Sequence, residues 1–266
     1  MHTLIQDVRY GFRMLLKQPA FTLVAVITLA LGIGANTAIF SVVNAVLLRP
    51  LPFNESERLV MVWYRGVEAA GGDRTPLSVA DLLDWRAQSH VFEGIAAFSP
   101  SNLNYSGGDN PVQVRSANVT SNFLSVLGVG VQLGRDFQSA DETPGGPTTV
   151  ILSDQFWRTH LNADPQAVGQ TIKLNGAPAN IIGIMPPQVN FPSSEVQLWR
   201  ALQLQQPQRR GPYFLRGLAR LKPGVTIDQA LADTSNIKSS FEGNNFSFNI
   251  ILIKNLFNFC LILIFP

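Results

Sequence analysis

The chain has 266 residues, with 20 Lys and Arg against 18 Asp and Glu, a net charge of +2 and 46% hydrophobic residues. A charge this close to balance argues against a dedicated nucleic-acid binder, and the length allows one large domain or two small ones. Cys260 is the single cysteine, so no internal disulfide framework holds the fold.

Within the first 17 residues Leu4, Val8, Phe12 and Leu15, with Ile5 and Leu16 beside them, share one side of a helix. Gln6, Arg9, Arg13 and Lys17 fall on the other. The pattern predicts an amphipathic helix over 1–18 on the cytoplasmic membrane surface, its basic face toward lipid headgroups. A basic flank with accidental periodicity is the plainer alternative.

From Gln18 to Leu48 the chain then runs 31 residues without a charge. A helix rises about 1.5 Å per residue and roughly 20 residues cross the hydrocarbon core, so 19–49 is read as one transmembrane helix with length to spare. Arg9, Arg13 and Lys17 outnumber Asp7 on the near side, which places the N-terminus inside and everything after Arg49 outside. A cleaved signal peptide competes, but its apolar core would stop after about 7–15 residues. Ala30, Gly34, Ala38, Ser41 and Ala45 recur at intervals of three or four and form a helix-packing stripe, since small side chains let helices approach closely in lipid. The bland reading is that small residues are common in membrane spans. Asn36 and Thr37 are polar at membrane depth and favour a protein partner over a lipid tail. Gly32-Ile33-Gly34 lies inside the span with no preceding strand and no third glycine, so it is no dinucleotide loop.

Residues 50–236 read as an exported α+β domain with two lobes. Strands are predicted at 58–64, around 94–98 and 112–118, at 149–152, 171–174, 181–185 and 213–221. A capping box at Ser78-Val79-Ala80-Asp81 opens a helix, a second helix covers about 153–161, and a third begins near Thr226. Asn175-Gly176 is the best hairpin turn, with Pro178 suggesting an edge position.

Chemistry-bearing constellations are weak. The chain has no Gly-x-x-x-x-Gly-Lys-Ser/Thr loop, no His-Glu-x-x-His and no Gly-x-Ser-x-Gly, so no enzyme activity, cofactor or metal is expected. Asp81 and Asp84 could share a helix face as paired carboxylates, yet capping and compensation of the helix dipole explain them more simply. His90 and His160 lack metal-ligand spacing. Asn104-Tyr105-Ser106 and Asn118-Val119-Thr120 match the glycosylation acceptor pattern, which such short motifs do by chance.

From residue 237 the composition changes, Phe, Ile and Asn supplying 17 of the last 30 residues. The apolar stretch 250–265 is interrupted by Lys254 and Asn255, a marginal second span at best. The region 237–266 is therefore read as an atypical tail, from truncation or a frame shift.

The segment Leu29-Ala30-Leu31-Gly32-Ile33-Gly34-Ala35-Asn36-Thr37-Ala38-Ile39-Phe40-Ser41-Val42-Val43-Asn44, followed by Leu47-Leu48-Arg49-Pro50-Leu51-Pro52, resembles the first crossing of MacB/FtsX-type ABC transporter permeases, in particular the orphan branch without a fused ATPase. Asp81-Leu82-Leu83-Asp84-Trp85-Arg86, Leu133-Gly134-Arg135-Asp136-Phe137, Ile151-Leu152-Ser153-Asp154-Gln155-Phe156-Trp157 and Ala219-Arg220-Leu221-Lys222-Pro223-Gly224-Val225-Thr226 extend the resemblance over about residues 1–236. It implies a periplasmic domain with porter-like and sabre-like lobes, anchored in the bacterial inner membrane. The implied partners are membrane lipid, a separate ABC ATPase subunit, a second permease copy and a periplasmic protein. A complete member of such a family has three further crossings and a cytoplasmic coupling loop, which this sequence lacks in their normal form. A stand-alone anchored binding or scaffold domain is the second class of function.

Overall fold

The computed structural model describes residues 10, 13, 17–43, 53–66, 74–107, 111–205, 211–236 and 246–253. They fall in two units, 1–49 and 50–266. In the first, helix α1 (Pro19–Val43) begins at proline, whose fixed φ and missing N–H suit the first helical position. Gln18, restricted by the proline after it, is not helical, while Tyr10, Arg13 and Lys17 are. The rest of the amphipathic segment and of the 44–49 stretch lies outside the described residues. At 25 residues, α1 is about 38 Å long. Its window Pro19–Ala38 has a mean hydropathy of 1.8, and none of it is buried against protein. Thr22 and Thr28 donate their hydroxyls to the carbonyls of Gln18 and Val24, which satisfies two polar groups that lipid could not.

The second unit is built on ten strands. They are β1 (Leu59–Gly66), β2 (Phe92–Tyr105), β3 (Val112–Val119), β4 (Leu133–Gly134), β5 (Thr149–Leu152), β6 (Thr171–Leu174), β7 (Ala177–Ile184), β8 (Leu198–Ala201), β9 (Arg216–Leu221) and β10 (Phe246–Leu252). Two lobes share the long strand β2. Its first half, Phe92–Phe98, pairs with β9, and β9 pairs with β1 and β1 with β10, giving an open antiparallel sheet. The second half, Phe98–Tyr105, pairs with β3 and starts a closed circuit through β8, β5, β7 and β6 that returns to β2 at Tyr105 and Leu174. The burial of β2 records this change. Ile95 to Ser99 are buried without interruption where the lobes meet, and beyond Pro100 buried and exposed residues alternate with period two.

Helices α2 (Val79–Gln88) and α5 (Ile227–Asn236) cover one face of the open sheet, where Val60, Val62, Tyr64, Leu82, Trp85, Ala219 and Ala230 form a core. On the other face the short α3 (Phe123–Leu127) joins an aromatic cluster of Phe53, Phe98, Phe123 and Phe191, with ring centroids 5.5–6.0 Å apart. The circuit encloses a third core, Leu103, Val114, Leu152, Ile172 and Leu198, which α4 (Asp154–Leu161) closes with Phe156 and Trp157.

The two-lobed α+β architecture agrees with the sequence reading, with local differences. β7 starts at Ala177, directly after the Asn175-Gly176 turn, and Pro178 stands opposite Lys173. The second half of β2 and the strands β4 and β8 had no counterpart among the predicted elements; Pro100 to Asn104 is polar on its outer face, and β4 has only two residues. β10 comes from the stretch read as a tail. Its residues pair from Val60↔Leu252 to Gly66↔Phe246, and Ile250 and Ile253 are buried. Part of the run read as a marginal span is thus an edge strand, and burying each such isoleucine stabilises by about 1.5–3 kcal/mol. Residues 254–266, including Cys260, lie outside the described residues.

Candidate functional site

Ala30, Gly34, Ala38 and Ser41 lie within an arc of about 80° on α1, at ~100° per residue. All four are exposed, as is nearly all of α1, and a Cβ built at Gly34 meets nothing within 4 Å. Ala45 lies outside the described residues.

The candidates weighed for chemistry resolve into structural roles. Asp81 is fully buried as half of a reciprocal capping box. Its carboxylate accepts from the Ser78 N–H at 2.9 Å and the Ser78 hydroxyl at 2.6 Å, while its own N–H donates to Ser78 Oγ at 3.2 Å. Asp84 is half-buried on the same helix. His90 is exposed, whereas His160 packs against Phe156, tilted at 4.5 Å, and against Tyr105, edge-on at 5.4 Å. No three metal-ligating side chains converge among the described residues. Asn104 and Asn118 sit inside strands, and the Asn118 Oδ1 accepts from Arg200 Nε at 2.9 Å.

The quoted motifs instead tie elements together. In Leu133-Gly134-Arg135-Asp136-Phe137, Gly134 has φ +82°, and a Cβ there would stand 2.2 Å from the Ile182 carbonyl oxygen, so only glycine permits β4 to meet β7. Arg135 grips both oxygens of Asp141 at 2.8 and 3.1 Å, and Phe137 is buried. Burial tends to raise the Asp141 carboxyl, but Arg135 and the Gln138 N–H outweigh it and hold the group below its ordinary range. Asp136 has no such clamp, and burial pushes it up to about 6 against the opposing pull of the Phe137 N–H and Arg135. In the motif around α4, Ser153 Oγ accepts from the Phe156 N–H at 3.0 Å, and Asp154 takes hydrogen bonds from Arg158 at 2.7 Å and Gln132 at 2.9 Å. Arg86, at the end of the α2 motif, donates to the Ile95 carbonyl at 2.9 Å and to Asn122 Oδ1 at 2.7 Å, fastening α2 to β2 and the start of α3.

One cluster was not singled out by sequence reasoning. Arg220 lies on β9 on the same face as Leu218 and is 5% exposed. Its Nε donates to the Val126 carbonyl at 2.9 Å, and its Nη1 to the Glu55 carbonyl at 3.4 Å. Nearby, Arg58 donates its Nε to the Leu221 carbonyl at 2.8 Å and pairs with the carboxylates of both Glu55 and Glu93. Burial, and then the charge of Arg58, lower the Arg220 pKa against the opposing pull of Glu93, Glu55 and Glu57. The available signal was an arginine at a core-facing position of an apolar strand, with a partner more than 160 residues away in sequence.

None of these groups forms a nucleophile, an acid–base pair or a phosphate cradle. Their hydrogen bonds tie separate elements to one another. A family model described as the MacB-like periplasmic core domain matches residues 22–237. The Macrolide export ATP-binding/permease protein MacB 1/2 of Paracoccus denitrificans is 28% identical over 167 residues, which is 61% of this chain and 24% of that protein, so the chain spans about a quarter of that relative's length. Among solved structures, the periplasmic region of MacB from Actinobacillus actinomycetemcomitans superposes with a TM-score of 0.58 at 14% identity, over 77% of this chain and 93% of that one. The extracellular domain of the noncanonic ABC-type transporter YknZ from Gram-positive bacteria gives 0.55 at 11% identity, over 73% and 99%. Identities this low establish a shared fold, and the family model carries the assignment: this chain belongs to the MacB-like periplasmic core domain family of ABC transporter permeases.

Proposed function

We propose that this chain is a membrane subunit, or part of one, of an ABC-type efflux or mechanotransmission complex in the bacterial inner membrane. ATP hydrolysis by a separate cytoplasmic ATPase moves the anchor helix, and the periplasmic domain moves with it. The observation that carries this reading is covalent continuity: a charge-free helix about 38 Å long leads into a MacB-type core within one polypeptide. The small-residue face of α1 is the surface on which a second permease copy or another crossing packs, and a periplasmic protein is the partner of the two-lobed domain. In this reading the chain catalyses nothing itself.

Reconstitution with the cognate ATPase in proteoliposomes tests the coupling. The chain alone should leave the hydrolysis rate unchanged, and a version joined to the family's remaining crossings and coupling loop should change it. Gly34→Leu in that version should abolish co-purification with a second copy while leaving membrane insertion intact, because leucine is favourable in lipid but blocks close approach. A joined version that inserts, folds and still has no effect on the ATPase would favour an anchored binding or scaffold domain.

A further inference from the structure

The first described residues after the anchor helix, Phe53 to Arg58, carry an unusual concentration of strain and unbalanced charge. Glu55 adopts a left-handed backbone, φ 46° and ψ 51°, a region that non-glycine residues enter at a cost unless the surroundings hold them there. Its carboxylate rests on Arg58, which Glu93 also occupies. Arg220, buried beside it, has only a long ion pair with the same carboxylate. The Glu55 Oε2 stands 3.9 Å from Arg220 Nη1, and Arg220 Nη2 is buried without a hydrogen-bond partner. Nη2 has room only because Gly128, at φ +73°, carries no side chain, since a Cβ there would lie 2.7 Å away. One arginine thus holds two carboxylates closely while its neighbour, more deeply buried, meets one of them only at 3.9 Å. A shift of about 1 Å would bring the Glu55 carboxylate within hydrogen-bonding distance of Arg220.

We infer that Glu55, Arg58 and Arg220 form a two-position ionic device where the chain enters the periplasmic sheet: the Glu55 carboxylate sits on Arg58 in this structure and passes to Arg220 when the entry segment is displaced. The first position leaves Arg220 unsatisfied, and the second leaves Arg58 with Glu93 alone. Arg220 is hydrogen-bonded to the C-terminal turn of α3, and β9 pairs with β1 and β2, so the transfer changes the load on α3 and on the strand between its two neighbours. This deepens the proposed coupling function and rests on it for its purpose, but the two positions are a property of the chain itself.

The test is guanidinium NMR on the full chain in lipid nanodiscs, labelled with 15N-arginine, the Arg220 signals being assigned with Arg220→Lys. Arg58→Met removes the first position. The Arg220 Nη signals should then shift and exchange more slowly with water, and the double variant Arg58→Met/Glu55→Gln should lose both changes. Glu93→Gln should leave the Arg220 signals in place. The indole signals of Trp157 and Trp199, from 15N-tryptophan added to the same labelling, monitor folding, and Arg58→Gln, which also removes the charge, substitutes if Arg58→Met unfolds. Unmoved Arg220 signals in a folded Arg58 variant, or a shift that survives Glu55→Gln, would overturn the device. No ATPase is present, so that failure would leave the coupling reading standing, while an ATPase unresponsive to the joined chain would leave the NMR result intact.

Discussion

The open-sheet lobe and the closed-circuit lobe are held together in different ways. The circuit is formed within one continuous stretch, residues 98–201, much of it from neighbouring strands such as the β6–β7 hairpin, and its interior is apolar. The open sheet gathers four segments far apart in sequence, β1, the start of β2, β9 and β10, and places its arginines and glutamates where the chain enters. The difference separates a lobe organised by local pairing from one that requires both ends of the domain to meet. Residues 53–58 meet the open sheet through Arg58 and Glu93, and Phe53 also packs on Phe191, between β7 and β8.

The largest expected effect comes from breaking that shared strand. Phe98 pairs with both Val119 and Arg216 and packs against Phe123 and Phe191. Phe98→Ala should cost about 4 kcal/mol, and hydrogen exchange should show β3 and β9 losing protection together. Loss confined to one of them would mean the lobes are energetically independent. Leu152→Ala, inside the circuit, should cost about 3 kcal/mol, with increased opening of β5 to β8 while β1 and β10 keep their protection. Urea denaturation of the full chain in detergent measures both totals.

A smaller effect depends on pH. The folded pKa of Asp136, about 6, lies above its ordinary value, so the folded state binds more protons between about pH 4 and 6. The associated stability is fully present below about pH 4 and is lost as pH rises through about 6. Discounted for partial solvent exposure, this is about 1 kcal/mol. Asp136→Asn should therefore be more stabilising at pH 7.5 than at pH 4.5. Asp141 and Asp154, whose pKa values are lowered, act in the opposite direction and lose their contribution on acidification. The difference between variant and parent isolates Asp136, and an equal difference at both pH values would refute the assignment.

Legibility in the sequence followed the range of the interactions. Capping at Ser78, Ser153 and Thr226, the Asn175-Gly176 turn and the charge-free run of α1 are set within a few residues and could be read directly. The second half of β2 was obscured because Pro100, Asn102 and Asn104 occupy its outward face, where polarity is permitted. β10 was obscured by a composition that signals neither a membrane span nor an ordinary strand, and it acquires structure only by pairing with β1, almost 190 residues earlier. The Arg58–Arg220 cluster was only half legible for the same reason: Arg220 at a core-facing position of an apolar strand was a signal, but its partners Val126 and Glu55 lie 94 and 165 residues away.

The central claim is that α1 anchors the chain with its N-terminus in the cytoplasm and the two-lobed domain outside. Its most direct test is thiol labelling of intact cells with a membrane-impermeant reagent, in a Cys260→Ser background that removes the native cysteine. Gln88→Cys, at an exposed position of α2, reports on the domain side, and Gln6→Cys reports on the other side. The account predicts labelling of Gln88→Cys on intact cells and of Gln6→Cys only after the membrane is permeabilised. Labelling of Gln6→Cys on intact cells, with Gln88→Cys protected until permeabilisation, would contradict it.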